Sequence, residues 1–138
     1  MNEFTLPVRI YYEDTDCGGV VYHSNYLKFM ERARTEWLRH LGLEQDMLAT
    51  ELGIIFAVRS VRVEFIKPAK FNQLLHVSAV VEKMAPASIY LYQKIMTEIS
   101  GLSTLLCEAW VKIACITVGE FKPVRIPEVV KKEIMGGC

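Results

Sequence analysis

The sequence predicts an α+β fold, an antiparallel sheet of about five strands wrapped around one long helix. Three observations carry that expectation. Apolar residues recur at helical spacing over one long stretch, at Leu27, Met30, Ala33, Trp37, Leu38 and Leu41, the stripe of a helix with one buried side. Beyond Gly53 the period falls to two and stays there, as in strands with one face on a core. Short turns separate these later stretches, and such turns join antiparallel neighbours. A lone helix with an apolar stripe and a sheet with one apolar face each need a cover. Wrapping one around the other supplies both.

Residues 6–12 alternate, with Val8, Ile10 and Tyr12 on one side and Arg9 and Tyr11 on the other, so the chain opens with a strand. In the long helix that follows, Ser24 or Asn25 can cap the start and Gly42 can end it in the left-handed conformation. Lys28, Glu31, Arg32 and Arg39 fall mostly opposite the stripe. Arg39 and His40 occupy the last turn, where the helix dipole favours cations. A shorter helical pattern through Leu43, Met47, Leu48 and Leu52 closes at Gly53. Residues 54–66 form a strand whose second half sets Val61, Val63 and Phe65 against Arg62, Glu64 and Ile66, and Pro68 stops it. Residues 75–81 alternate with Leu75, Val77, Ala79 and Val81 on one face. Ala85-Pro86-Ala87 turns the chain toward Ile89, Leu91, Ile95 and Ile99, and Ser100-Gly101 is a hairpin turn. Residues 105–118 place Leu105, Cys107, Ala109, Val111, Ile113 and Cys115 on one face. Residues 126–135 read as a terminal helix or a fraying end, with Pro127 suited to a first turn.

At 138 residues the chain is long enough for one domain with its own core. Sixteen Lys and Arg balance sixteen Asp and Glu, so no basic field exists to hold a nucleic-acid backbone. No stretch reaches the roughly 20 apolar residues of a membrane span. The opening MNEFTLPVR lacks the basic start and apolar run of a secretory signal. A cytoplasmic protein is expected. Cys17, Cys107, Cys115 and Cys138 show no metal-ligand spacing. Cys107 and Cys115, eight apart in one strand, lie too far apart to bridge, since a disulfide needs Cα atoms within about 7 Å. No metal and no disulfide framework is expected, and Cys17 reads as a small filler.

The stretch from residue 11 to 36, YYEDTDCGGVVYHSNYLKFMERARTE, holds the chemistry. Carboxylates at Glu13, Asp14 and Asp16, the imidazole of His23 and a helix N-terminus meet there. The first N–H groups of a helix lack intrahelical partners, and the peptide dipoles make that end electropositive. A carboxylate ahead of such an end, across a Gly18-Gly19 loop, suits attack on a carbonyl and capture of the oxyanion. The plainer reading is a turn, because Asp caps turns and Gly supplies positive φ. His40 reads as a helix-end residue, and Glu13 and Asp14 as structural.

Residues 12–26, YEDTDCGGVVYHSNY, followed by ERARTE at 31–36, resemble the signature of the hot-dog-fold acyl-CoA thioesterases. The likeness is to the subgroup associated with the bacterial Tol–Pal system, related to the 4-hydroxybenzoyl-CoA thioesterases. FIKPAK at 65–70 matches at the expected later strand end, and the similarity runs from about Pro7 to Pro123. The resemblance implies the hot-dog fold over one domain and hydrolysis of acyl-CoA to free acid and coenzyme A. It implies Asp16 as nucleophile or general base, and a backbone N–H at the position of His23 as oxyanion donor. The His23 side chain either positions water or substrate or is structural. Gly19 belongs to the turn, and Tyr22 and Tyr26 line the pocket or merely pack. Arg59, Arg62, Lys67 and Lys70 are candidates for the coenzyme A phosphates. Asn72 stands where family members often carry an acidic residue.

No cofactor is implied beyond the coenzyme A of the substrate itself. Apolar residues on the opposite sheet faces, Tyr90, Tyr92 and Met96 on one strand and Leu106, Trp110, Ala114 and Ile116 on another, exceed what a monomer usually leaves exposed. They imply an oligomer contact or an acyl-chain channel, and the resemblance implies a dimer or tetramer with a shared pocket. Hot-dog hydratases need His and acid motifs not found here. A non-catalytic module binding acyl groups or acyl carrier protein in phospholipid metabolism is the alternative, and retention of Asp16 with the Gly18-Gly19 turn favours catalysis.

Overall fold

In the computed structural model, which describes residues 3–136, strand β1 (Phe4–Arg9) leads through a tight 3-10 turn (Tyr12–Asp14) to helix α1 (His23–His40). A short helix α2 (Gln45–Met47) widens into a π-helical turn (Leu48–Leu52). Strands β2 (Ile54–Phe65), β3 (Leu74–Ala85), β4 (Ser88–Ile99) and β5 (Leu102–Thr117) follow, then helix α3 (Glu128–Gly136). The five strands make one antiparallel sheet in the order β1-β3-β4-β5-β2. Strands β1 and β2 flank α1 in sequence yet occupy opposite edges, so α1 crosses the sheet face between them. That is the expected architecture.

Helix α1 buries Tyr26, Phe29, Met30, Ala33, Trp37 and Leu38. Leu27, assigned inward by the sequence, is 42% exposed, while Tyr26 and Phe29 take the inner positions; the stripe is centred one residue to the side. Against it lie Leu75, Val77, Ala79, Ile89, Leu91, Ile95, Cys107, Ala109 and Val111, all buried. Each large aliphatic or aromatic chain so buried contributes roughly 1.5–3 kcal/mol.

Two expectations for inner positions fail for identifiable reasons. Strand β1 ends at Arg9 and the chain turns at Tyr12, which leaves Tyr12 76% exposed and stacked on Phe71 at 3.9 Å. On β5, Ile95 pairs with Cys107 but Met96 with Leu105, so Leu106 is an extra, bulged residue. The bulge resets the alternation: Leu106 is fully buried and is not on the outer face, and Leu105 gives up the inner position. Ala114, also expected on the outer face, is buried, and the outer aromatic residues are dressed by charge. Arg62 lies over the Trp110 ring at 4.1 Å, Lys83 and Lys112 flank Tyr90, and the Tyr92 hydroxyl donates to Glu108 at 2.6 Å.

Gln93 is a buried polar residue that periodicity alone did not mark. It sits on the inner face of β4, fully buried. Its Nε2 donates to the Met30 and Ser78 carbonyls at 3.0 and 3.2 Å, and its Oε1 accepts from Arg34 at 2.9 Å. Burial of an amide is tolerable only with such partners, and these bind α1 to the sheet. In α3, Val130 and Ile134 are buried, and the Pro127 carbonyl accepts from Val130 and Lys131. Pro127 therefore caps the helix from just outside it. Cys107 and Cys115 are buried free thiols; Cys138 lies outside the described residues.

Candidate active site

The acidic turn is a small hairpin. The Asp16 carbonyl accepts from Gly19 at 3.1 Å, and its N–H donates to the Val20 carbonyl at 2.9 Å. Thr15 and Val21 bridge just beyond. Gly19 has φ of +81°, the left-handed position that closes a three-residue hairpin loop. Within the turn, Asp16 Oδ1 accepts from the Gly18 N–H at 2.8 Å. That bond holds the carboxylate over the loop and leaves Oδ2 without a donor among the described residues.

The turn is tied to the helix start by Asp14. Its carbonyl accepts from the Tyr22 N–H at 3.1 Å and from Asn25 Nδ2 at 2.8 Å, while its carboxylate accepts from the Tyr11 N–H. Asn25 therefore links turn and helix, and neither it nor Ser24 caps α1: the helix begins at His23, with Tyr22 as its N-cap and no side-chain cap. The N–H groups of His23 and Ser24 bond to no described residue, so that end keeps its open donors.

The loop after β2 supplies the other wall. The bulged Leu106 carbonyl accepts from both Ile66 and Lys67, at 2.9 and 3.0 Å. Val21 donates to the Ala69 carbonyl, and the Ala69 N–H donates to Tyr26 Oη at 2.8 Å. Burial pushes the Tyr26 phenol up, partly offset by that Ala69 bond, so it stays protonated with its own hydrogen free to donate. Between the walls opens a cleft of about 310 Å³, lined by Asp16, Tyr22, His23 and Tyr26 on one side and Phe65, Lys67 and Pro68 on the other.

Phe65 is the functional-site neighbour whose place residue-type reasoning did not foresee. Its ring lies 4.8 Å from the His23 ring and 5.4 Å from that of Tyr26, edge-on to the latter. Its signal was its position at the last residue of a strand, opening the FIKPAK stretch. Of the expected residues, Asp16, Tyr22, His23, Tyr26 and Lys67 share the cleft. Gly19, Arg59 and Lys70 do not line it. Gly19 shapes the turn, Lys70 bridges Val20 through its backbone, and Arg59 is an extra residue in β2 where Val58 pairs with Ile113 and Ser60 with Lys112. Cys17 is exposed on the turn and does not line the cleft. Burial pushes the Cys107 thiol up to about 12 and Cys115 to about 11, which keeps both protonated and poor nucleophiles. Among the described residues no cluster of His, Cys, Asp or Glu could hold a metal.

A carboxylate with one oxygen free, beside open helix-end donors and an aromatic wall, suits addition to a polarised carbonyl. Comparison with known proteins points the same way. The profile of the thioesterase-like superfamily matches residues 11–134. The chain is 44% identical over 130 residues to an acyl-CoA thioesterase, YbgC, of Haemophilus influenzae, covering 94% of this chain and 93% of that one. It is 41% identical to the acyl-CoA thioester hydrolase YbgC of Escherichia coli, covering 94% of each. Among solved structures, a probable thioesterase from Bartonella henselae superposes with a TM-score of 0.83 at 35% identity, over 91% of this chain and all of that one. The 4-hydroxybenzoyl-CoA thioesterase of a Pseudomonas species superposes at 0.89 over 96% and 99% of the two chains; at 19% identity it speaks for the fold alone. Motif, fold and sequence likeness over nearly the whole chain agree: it belongs to the thioesterase-like, hot-dog superfamily.

Proposed function

We infer that the protein is an acyl-CoA thioesterase, hydrolysing a thioester to a free acid and coenzyme A. The observation that carries this reading is the Asp16 carboxylate, held by Gly18 with Oδ2 free, in the same cleft as the open N-terminus of α1. The relatives named above as acyl-CoA thioesterases support it. A thioester carbonyl is electrophilic and its thiolate leaves readily, so the site needs a placed carboxylate and a donor for the oxyanion.

Asp16 acts in one of two ways. As nucleophile, Oδ2 adds to the carbonyl, the C–S bond breaks, and water then cleaves the resulting mixed anhydride. As general base, it takes a proton from a water that adds to the same carbon. In both, the His23 backbone N–H receives the developing oxyanion, and such a donor contributes roughly 10²–10³ in rate. Lys67 at the cleft mouth suits a coenzyme A phosphate. No further cofactor enters this scheme.

Asp16 is exposed in the single chain, and β2 presents Val58, Val61 and Phe65 at an open sheet edge. A dimer, or a tetramer built from it, that shields this cleft completes the proposal, and it is also the means by which Arg59 or Lys70 would reach a substrate. No helix among the described residues is long and apolar enough to cross a membrane. We place the enzyme in the cytoplasm, in lipid metabolism, with its Tol–Pal likeness as the setting and acyl carrier protein as a second carrier of substrate. Thiol release measured across acyl-CoA chain lengths is the test. Turnover of at least one acyl-CoA is expected; binding of acyl groups without thiol release at any length would establish the non-catalytic module instead.

A further inference from the structure

The structure holds a second cavity that the reaction above does not use. This cavity, of about 180 Å³, is lined by Leu27, Met30, Arg34, Val58, Val61 and Val111. It lies on the same two elements as the cleft. Along α1 the cleft takes His23 and Tyr26, and the cavity takes Leu27, Met30 and Arg34. Along β2 the cleft takes Phe65, and the cavity takes Val61 and Val58. The bulge at Arg59 sets Val58 and Val61 on the same sheet face. Without it, Val58 and Val61 would point to opposite sheet faces; with it, Val61 pairs with Val111 and Val58 with Ile113, whose side chains are buried on the α1 side. Both spaces lie on the seam between α1 and β2, and the α1 residues that line them span about 16 Å of helix axis from His23 to Arg34.

Five of the six lining residues are apolar and the sixth is a cation without an anion. Arg34 Nη1 donates to the neutral Gln93 Oε1 at 2.9 Å, and no described carboxylate lies within ion-pair range of it. Glu31, one turn earlier, acts on it only through longer-range attraction, and burial lowers the guanidinium from its ordinary value. A partly desolvated guanidinium with one of five donors committed gains most from a carboxylate, which it can grip with two N–H groups. The volume is close to the roughly 150 Å³ that accepts a benzene ring, enough for a short hydrocarbon.

We propose that the acyl group of the substrate runs from the Asp16 cleft along the α1–β2 seam and that Arg34 binds a carboxylate at its far end, so that the preferred thioesters carry dicarboxylic acyl groups. This rests on the thioesterase reading and deepens it, with Arg34 as a specificity-determining residue. The valines and Met30 hold the methylene chain; the guanidinium reads its terminus.

The test compares chain-matched pairs, glutaryl- with pentanoyl-CoA, adipyl- with hexanoyl-CoA and suberyl- with octanoyl-CoA. In the unaltered enzyme the diacid should exceed its monoacid in kcat/KM by ~10-fold or more at the best length, mainly through KM, because a site built for a charged group discriminates against its absence. Arg34→Gln should lower that ratio by at least ~10-fold. If Arg34→Gln does not fold, Leu27→Asp, on the half-exposed α1 wall of the same cavity, carries the same test: its carboxylate competes for Arg34 and must bring the ratio to one or below. An unaltered enzyme that treats both members of every pair alike, or a folded variant that keeps the preference, overturns the inference. Absence of thiol release from acyl-CoA of every length overturns the thioesterase reading beneath it, whereas release from other acyl-CoAs alone, or release without discrimination, overturns only the role of Arg34.

Discussion

Helix α1 ends differently at its two termini, and under the proposed function the difference separates chemistry from stability. At the C-terminus the carbonyls of Trp37, Leu38 and Arg39 all accept bonds from the residues that follow the helix. Gly42, with φ of +79°, donates to Arg39, and Leu43 donates back to Leu38, the paired bonds that close a helix on a left-handed residue. Leu38 and Leu43 are both buried, and Arg39 pairs with Glu36 and Glu44. At the N-terminus Tyr22 provides no side-chain cap, and the His23 and Ser24 N–H groups stay open beside an exposed carboxylate. An uncapped end forgoes about 1 kcal/mol. Open donors at the N-terminus of a helix are what an anion-stabilising site requires.

Substitutions at the two ends should therefore fall into different measurements. The largest effect is expected for Asp16→Asn, with thiol release falling at least ~10³-fold, about 4 kcal/mol of barrier. Its Oδ1 still accepts from Gly18, so the thermal midpoint should barely move; near-normal turnover would remove Asp16 from the mechanism. Leu38→Ala should show the opposite pattern, a loss of about 3 kcal/mol of stability and a fall in Tm of roughly 10 °C, with kcat retained at low temperature. A large kcat loss there, at unchanged stability, would erase the distinction between the ends.

His23→Ala tests what the functional end owes to a side chain. The backbone donor survives the change, so an imidazole that positions water or substrate should show a ~10–10²-fold loss, smaller than that of Asp16→Asn. Full rate would make the ring a packing partner of Phe65 and nothing more; inactivity equal to Asp16→Asn in a folded protein would exchange the two roles. The smallest effect is expected for Gly42→Ala. A Cβ there meets nothing within 4 Å, so only the positive φ is penalised, at about 1 kcal/mol, and rates should be unchanged. Chemical denaturation resolves that difference, and an unchanged midpoint would show that the closure at Gly42 contributes nothing.

Periodicity is a local property, and what depends on it was determined by the sequence itself: the α1 stripe, the alternating strands after Gly53, the glycine that closes α1, and the acid–glycine turn ahead of a helix. The family signature added Asp16 and the helix end. Packing between distant segments was decided only in the tertiary structure. Whether a strand bulges depends on its partner, so the shifts at Arg59 and Leu106, which set Val58 on the same face as Val61 and exchange Leu105 for Leu106, could not be read from β2 or β5 alone. Phe65 reaches His23 because the Leu106 carbonyl and Tyr26 hold a loop that lies some forty residues away along the chain. In the sequence Arg34 stands only as one residue of the ERARTE match. It has no described carboxylate in ion-pair range because Gln93 lies across the core from it and the β2 bulge lines its neighbourhood with valine, and charge balance is settled by which side chains meet in space.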